Sequence, residues 1–329
     1  MIQLAAAQFG CHVVVTTRPG AHEGRSTLAG FDRITIDDLD DSGIEGFLLQ
    51  WCRWLKRGDE AAALGYLAEL RPAVAVPTIY VLARNPLMLT ALAVLHLRRH
   101  RLPEQRAQLY EQIIEWLADQ AVEKHPQEWR RDELLDRFGR LALGMQEWKR
   151  GQKLQIGIDT AAQLLAPTRQ AIEPYVSFLE QAQIDSGLVT LRGREIAFWH
   201  RSFQEYLAAR TLSGFRDAKL AARARNFLYS PEGREVLPLL AGRMVESGRE
   251  RLDGLFMILS RDAVRQKSLK RQAHAVGVLG NMLADLAPNS YELKGLAKTQ
   301  LARLRETVMA IFRKGKTRHI GLKTRVAAA

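Results

Sequence analysis

The spacing of apolar residues is the feature that most constrains how this chain can fold. From "DSGIEGFLLQWCRWL" (residues 41–55) onward, apolar residues recur with a helical period in one segment after another. In that first segment Ile44, Phe47, Leu48 and Trp51 lie at i, i+3, i+4 and i+7, which is one face of an α-helix. Because helices of this kind bury their apolar faces against each other, the sequence predicts a mainly α-helical protein.

The segment "RNPLMLTALAVLHLRRHRLP" carries signals for both ends of a helix. Asn85 is a favoured N-cap, Pro86 suits the first helical position, and Pro103 ends the segment. The two histidines of this helix, His96 and His100, have no partner at metal-ligand spacing, and we interpret them as solvated.

A winged helix is predicted in the middle of the chain. Two helical segments, "RRDELLDRFGRLALGMQEWKR" and "DTAAQLLAPTRQ", are followed by "EPYVSFLEQAQIDSGLVTLRGREIAFWHRSFQEYLAAR", which has the pattern helix, strand, turn, strand, helix. Ser202 and Glu205 form a capping-box pattern, which predicts that the last helix begins near Phe203. His200 would then end a strand just outside a helix N-terminus, a position that favours anions.

The two ends of the chain have different patterns. "CHVVVTTRPG" and "FDRITIDDL" predict two strands at the edge of a parallel α/β sheet. Arg18 follows the first strand, at the edge where such sheets bind ligands, and its guanidinium can bind a phosphate. After Thr211 every segment is helical, and the paired short helices predict a HEAT-like α-solenoid arm.

Composition narrows the functional classes. The 329 residues carry a formal net charge of +12, which permits binding to nucleic acid or to an acidic surface. No apolar run reaches the roughly 18 residues that a membrane helix needs, so we expect a cytoplasmic protein without a membrane partner. The only cysteines, Cys11 and Cys52, have no ligand neighbours and predict neither a metal site nor a disulfide.

Catalytic patterns are absent from the sequence. There is no G-x-x-x-x-G-K-[ST] phosphate loop, no apolar strand that ends in an acidic cluster for magnesium, and no supported Ser-His-Asp set. We therefore assign no catalytic residue and no metal ligand.

Three motifs in a fixed order resemble a known family. "VVVTTRPG", "NPLMLTALAVL" and "FWHRSFQEYLAA" resemble the second half of the NACHT module, over about residues 1–260. That module belongs to the STAND class of signalling P-loop NTPases, which includes bacterial anti-phage sensors and animal inflammasome receptors. The resemblance implies that Arg18 is the sensor-1 arginine that binds the terminal phosphates. It also implies that Pro86 packs near the adenine and that His200 holds the β-phosphate of ADP in the closed, inactive state.

The resemblance also implies a domain organisation. Residues 1–42 would be the last strands of a nucleotide-binding domain, 43–125 a helical lid, 126–212 the winged helix, and 213–329 the helical arm. ATP or ADP and Mg²⁺ would be the cofactors of the intact protein. Its partners would be an upstream nucleotide-binding half and effector domain of the same protein, and further copies of itself on activation, in bacterial defence or signalling.

The family's phosphate loop and magnesium-binding strand precede the sensor-1 strand, and this chain begins later. We therefore expect a fragment of a longer protein, and we expect no ATP hydrolysis by this polypeptide alone. Two alternatives stay open. The first is a basic winged helix that binds nucleic acid through Arg192 and Arg194 at the wing, although the preceding helix is acidic. The second is a helical scaffold in which the motifs only pack.

Overall fold

We describe the fold from a computed structural model, which covers Val14, Val15, Asp32, Ile34 and residues 36–148, 153–166, 172–231 and 233–309. Over these residues the chain is mainly helical, with one small sheet, and this confirms the fold class predicted from the sequence. The helices are α1 (Asp41–Leu55), α2 (Glu60–Val74), α3 (Pro77–Ala83), α4 (Pro86–Arg99), α5 (Arg106–Lys124), α6 (Arg131–Gln146), α7 (Ile158–Leu165), α8 (Glu173–Asp185), α9 (Arg201–Ser213), α10 (Asp217–Leu228), α11 (Gly233–Ser247), α12 (Arg249–Arg265), α13 (Leu269–Asp285) and α14 (Gly295–Met309). The strands are β1 (Gln155–Gly157), β2 (Val189–Arg192) and β3 (Glu195–Phe198).

Helices α1 to α5 form the first helical layer. The side chain of Asp40 caps α1 by accepting a hydrogen bond of 2.7 Å from the Gly43 amide. The predicted apolar face of α1 is correct, since Ile44 and Leu48 are buried, together with Cys52. Burial raises the pKa of the Cys52 thiol, so this cysteine is a core residue.

The middle of the chain has the element order of a winged helix: α6, β1, α7, α8, β2, β3. The strands pair antiparallel in the order β1-β3-β2, with Ile196 of β3 opposite Ile156 and Leu191. The hairpin turn is formed by Gly193 and Arg194, and Gly193 adopts a φ of +61° that favours glycine. The three-residue strand β1 was not predicted from the sequence, because so short a segment has no measurable alternation.

Helix α11 lies at the centre of the C-terminal half. It packs against α5, α9, α10, α12 and α13, so it joins the first helical layer to the arm. Gly242 allows this close approach: a Cβ at that position would lie 1.7 Å from Nε2 of Gln105, at the start of α5. The core is one continuous apolar cluster that extends from Ile44 to Val308.

Two sequence predictions need correction. His96 is not solvated: it is 2% exposed, and its Nδ1 lies 2.9 Å from the Tyr66 hydroxyl in a hydrogen bond. Burial lowers the pKa of His96, with a smaller effect from His100, so a neutral ring belongs to the core. In the two predicted N-terminal strands, the described residues, which include Ile34 and Ile36, lie outside any strand; the remainder falls outside the described residues.

Candidate functional site

The first candidate residue, Pro86, stands at the start of α4 as predicted. Asn85 is the N-cap, and its Oδ1 accepts hydrogen bonds from the amides of Leu87 (2.9 Å) and Met88 (3.2 Å). Pro86 is exposed at the first helical position, where a backbone N–H would have no intrahelical acceptor, so a proline costs the helix no hydrogen bond. The helix start is thus confirmed, and packing of Pro86 near an adenine stays a prediction.

The second candidate, Arg18, lies outside the described residues. Of the three residues expected to share a cleft, the structure therefore describes Pro86 and His200. They stand at the starts of α4 and α9, two helices that both pack against α5. The shared cleft stays a prediction.

His200 is itself the N-cap of α9. Strand pairing continues beyond β3, since the Trp199 amide donates to the Leu188 carbonyl (2.9 Å), and the helix begins at Arg201. Nδ1 of His200 accepts a hydrogen bond of 3.2 Å from the Ser202 amide. The ring is half-buried and meets the Phe203 ring edge-on at 6.1 Å. The predicted capping box of Ser202 and Glu205 is therefore wrong, and the helix starts two residues earlier than expected.

The cap fixes which nitrogen of the imidazole carries its proton. A ring that accepts at Nδ1 has no proton there, so the neutral ring carries it on Nε2. An Nε2–H group is a hydrogen-bond donor, and phosphate oxygens accept such bonds. The N-terminal end of α9 adds the positive end of a helix dipole. An imidazole donor at a helix N-terminus is therefore chemically compatible with a phosphate group.

The capping box fails because its two members are engaged elsewhere. The Ser202 side chain interacts with the buried Tyr110 hydroxyl on α5, and this interaction opposes the rise that burial causes in the pKa of Tyr110. The carboxylate of Glu205 accepts from Arg201, one turn earlier, at 2.7 Å. Glu205 is 3% exposed, and its burial raises the pKa of the carboxyl to about 7, although Arg201 opposes this.

An ionic cluster joins α5 to the arm one turn below Tyr110. Arg106 of α5 donates to Glu235 of α11 (2.7 Å) and to Asp285 of α13 (3.2 Å). The side chains of Arg106 and Asp285 are 26% and 14% exposed. Burial raises the pKa of Asp285 and Arg106 opposes the rise, so this pair depends on close contact to stay ionised.

A second ion pair links α5 to α11 beside α9. Arg243 of α11 pairs with Glu111 of α5 and donates to the Tyr206 hydroxyl of α9 at 3.1 Å. Burial raises the pKa of Tyr206, so its hydroxyl stays protonated near neutral pH. The helix that His200 caps is thereby tied both to α5 and to the arm.

Neither a scan against protein-family models nor a search of curated proteins finds a match for the chain. Over the described ranges, no group of three or more His, Cys, Asp or Glu side chains is arranged as metal ligands. Within those ranges there is also no helix with the length and apolar character required to cross a membrane.

Sequence reasoning missed the contacts that hold α9. Arg106 and Asp285 are separated by 179 residues, and Arg106 and Glu235 by 129. Charged residues on amphipathic helices are usually solvated, so nothing local distinguishes these from others. The available signal was Tyr206, which lies at helical spacing from the apolar Phe203 and next to Leu207, because a tyrosine hydroxyl that is buried with such residues needs a partner.

Proposed function

We propose that this chain is the regulatory half of a NACHT-type nucleotide-switched signalling ATPase that acts in the cytoplasm. In the closed state, His200 holds the β-phosphate of ADP, Arg18 binds the phosphates and Pro86 packs near the adenine. Exchange to ATP removes the His200 contact and allows the winged helix and the arm to rotate. Further copies then assemble on an effector supplied by the same protein.

One observation carries this proposal. His200 occupies the N-cap of α9 and accepts there at Nδ1, so its other ring nitrogen is a donor at a helix N-terminus. A cap made by Asn, Ser or Asp would complete the helix equally well, and these residues are the usual choice. A histidine in this position adds a second ring nitrogen at a helix N-terminus, and an imidazole N–H is a donor of the kind that phosphate oxygens accept from.

The contacts of α9 support the switching part of the proposal. Tyr206 of α9 accepts a hydrogen bond from Arg243 of α11, which also pairs with Glu111 of α5, and Arg106 of α5 is bonded to the arm through Glu235 and Asp285. A change at His200 therefore acts on a helix that is bonded to both neighbouring regions. A switch needs such a connection between the ligand and the part that moves.

The test uses the chain joined to the phosphate-loop half that the proposal expects upstream. The variant His200→Asn keeps a capping oxygen for α9 and removes the imidazole. The matched control is His100→Asn, since His100 is exposed at the end of α4 with a φ of +54°, which asparagine tolerates. We expect ADP to co-purify with the wild type, and we expect His200→Asn to lose this ADP and to signal without a trigger. Equal ADP retention by the two variants would overturn the latch.

Binding of nucleic acid through the wing is the alternative that the same protein can exclude. Arg194 pairs with Asp159 at 2.8 Å, and Glu173 and Glu180 lie on α8, where a recognition helix would be basic. A gel shift with duplex DNA at low salt tests it. Salt-dependent binding that is weakened by Arg192→Ala would favour this alternative over the switch.

A further inference from the structure

The positive charge of the chain comes from the residues of the arm. Residues 213–329 contain 23 Lys and Arg and 10 Asp and Glu, so their net charge is +13. The first 212 residues contain 25 basic and 26 acidic side chains, and their net charge is −1. An anionic partner that is attracted by the charge of this protein is therefore attracted to the arm.

In the described parts of the arm, 213–231 and 233–309, the cations are densest where α12 ends and α13 begins. Residues 261–271 carry five basic side chains and one acidic side chain, that of Asp262. The five basic residues are all exposed, and none forms an ion pair with another described residue. What we call the basic surface consists of Arg261, Arg265, Lys267, Lys270 and Arg271.

Asp262 does not neutralise the basic surface, because its carboxylate is bound by other residues. It accepts hydrogen bonds from the Tyr229 hydroxyl (2.7 Å) and from Nε2 of Gln266 (3.3 Å), and it lies 3.8 Å from Arg225 of α10. The guanidinium of Arg271 lies over the Tyr229 ring, 4.9 Å from its centroid. These contacts join the end of α10, the end of α12 and the start of α13, so three packed elements support the basic surface.

Two of the cations are placed where helix stability alone would disfavour them. Lys270 and Arg271 lie in the first turn of α13, which has no acidic residue, and Lys267 directly precedes its N-cap, Ser268. The N-terminus is the positive end of the helix dipole, so acidic side chains stabilise it and cations oppose it. A departure from such a local rule is expected where a function needs it, and here the function would need positive charge.

The residue types in this segment distinguish among anionic partners. A surface that binds membranes exposes large apolar side chains beside its cations, and in residues 261–271 Val264 is the only exposed apolar side chain. For the same reason the segment has no apolar centre of the kind found in protein interfaces. A single-stranded nucleic acid stacks its bases on exposed rings, whereas the Tyr229 ring is covered by Arg271. A duplex requires positive charge along its phosphates.

We propose that the arm binds double-stranded nucleic acid through the basic surface. Its guanidinium and ammonium groups donate to phosphate oxygens, which DNA and RNA share, so the binding does not depend on base sequence. Arg261 and Arg265 are one turn apart, about 6 Å along α12, and a duplex carries one charge per about 1.7 Å of its axis. Several phosphates therefore come within reach at once. This activity is separate from the nucleotide switch, because Arg18, Pro86 and His200 do not belong to the basic surface.

The experiment follows the fluorescence anisotropy of labelled DNA and RNA duplexes of about two helical turns, titrated with the whole chain at increasing salt. We expect the wild type to bind at least one of the two duplexes at about 50 mM salt, with an affinity that falls steeply as salt increases. The triple variant Arg261→Ala/Lys267→Ala/Lys270→Ala should bind at least about tenfold more weakly, and its salt slope should be smaller by about 3.

The matched control is Arg99→Ala/Arg101→Ala/Arg192→Ala. It removes the same charge from three exposed positions outside the arm, and it should bind like the wild type. Thermal melts check that both variants are folded. The arm variant should not melt below the control, because its three residues are exposed and Lys270 opposes the dipole of α13.

Three outcomes would overturn the proposal. The first is that neither duplex binds at low salt, and the second is that the two triple variants weaken binding equally. The third is that phosphatidylserine vesicles or polyglutamate bind as tightly as a duplex, because the surface would then fit a membrane or an acidic protein. His200→Asn should leave duplex binding unchanged, so failure of the nucleotide latch and failure of this proposal are distinguishable.

Discussion

The starts of α4 and α9 meet the same requirement with different residues. At α4, Asn85 caps the helix with two short local hydrogen bonds, and the exposed Pro86 follows. At α9, His200 caps with a ring nitrogen, and Tyr206 accepts a hydrogen bond from Arg243, which also pairs with Glu111 of α5. The first start depends on its own few residues, whereas the second is part of a tertiary network. A ligand bound at the start of α9 would therefore affect the contacts of α9 with α5 and with the arm. A ligand bound at the start of α4 would affect only the neighbouring residues of that helix.

The largest expected effect comes from breaking the ionic cluster of Arg106, Glu235 and Asp285. Arg106→Ala leaves Glu235 and the largely buried Asp285 without their partner, and we expect a loss of about 3 kcal/mol in the free energy of unfolding. Urea denaturation measures it. The control is Arg53→Ala in the exposed Arg53–Glu60 pair, which should cost less than about 1 kcal/mol. Equal losses would mean that the cluster contributes no more than a surface pair.

The second effect is a pH dependence from Glu205 in α9. Its pKa is raised from 4.5 to about 7, so the folded state binds a proton that the unfolded state has released. Stability contributed by this proton is present below about pH 4.5 and is lost as the pH rises to about 7, with a limit of about 3 kcal/mol.

Glu205→Gln should remove that part of the pH dependence. We expect its free energy of unfolding to fall less than that of the wild type between pH 4.5 and pH 8, as measured by denaturation at each pH. Glu60→Gln serves as the control, because Glu60 is exposed and pairs with the exposed Arg53. If Glu205→Gln and the wild type lose the same stability over this range, Glu205 is not protonated in the folded protein.

The third prediction compares the N-cap of α4, Asn85, with the N-cap of α9, His200. Asn85→Ala and His200→Ala each remove one capping acceptor, and each should cost about 1 kcal/mol. His200→Asn should cost less, because asparagine restores an acceptor for the first turn of α9. Thermal melts of the three variants measure this. A loss from His200→Asn as large as that from His200→Ala would show that the ring contributes mainly by packing.

The smallest effect concerns Pro86. The proline ring restricts the conformations of the unfolded chain, and this restriction stabilises the folded state. A backbone N–H at the first helical position has no intrahelical acceptor, so its absence costs nothing. Pro86→Ala should therefore lower the free energy of unfolding by only about 0.5 kcal/mol. In chemical denaturation, the loss in the free energy of unfolding should be smaller for Pro86→Ala than for Asn85→Ala. A cost above that of the cap would mean that the exposed ring makes contacts with the N-terminal residues outside the described ranges.

The same two helix starts illustrate how much could be predicted from the sequence. Asn85 and Pro86 act through neighbours within three residues, so the local pattern predicted α4 correctly. Ser202 and Glu205 fit a capping box equally well, but Tyr110 and burial against α5 and α11 determine their partners. Local patterns do not reveal which of two competing contacts a side chain makes once helices pack.

The ionic cluster of Arg106, Glu235 and Asp285 shows the same difference between local patterns and tertiary contacts. The amphipathic helices were predicted because apolar periodicity repeats within each segment. The meeting of Arg106 with Asp285 depends on how α5 and α13 are placed by the helices between them. Burial of His96 was missed for this reason too, because its partner Tyr66 lies on another helix.

The absence of a side chain at position 242 has one more consequence. Only a hydrogen atom separates the backbone of α11 from the amide of Gln105, so residue 242 sets the spacing between the first helical layer and the arm. Alanine, serine and valine at this position form a series of increasing volume. Each larger side chain would push α11 further from Gln105, so the series would weaken the packing of the arm against α5 by increasing amounts. None of these substitutions changes a charge.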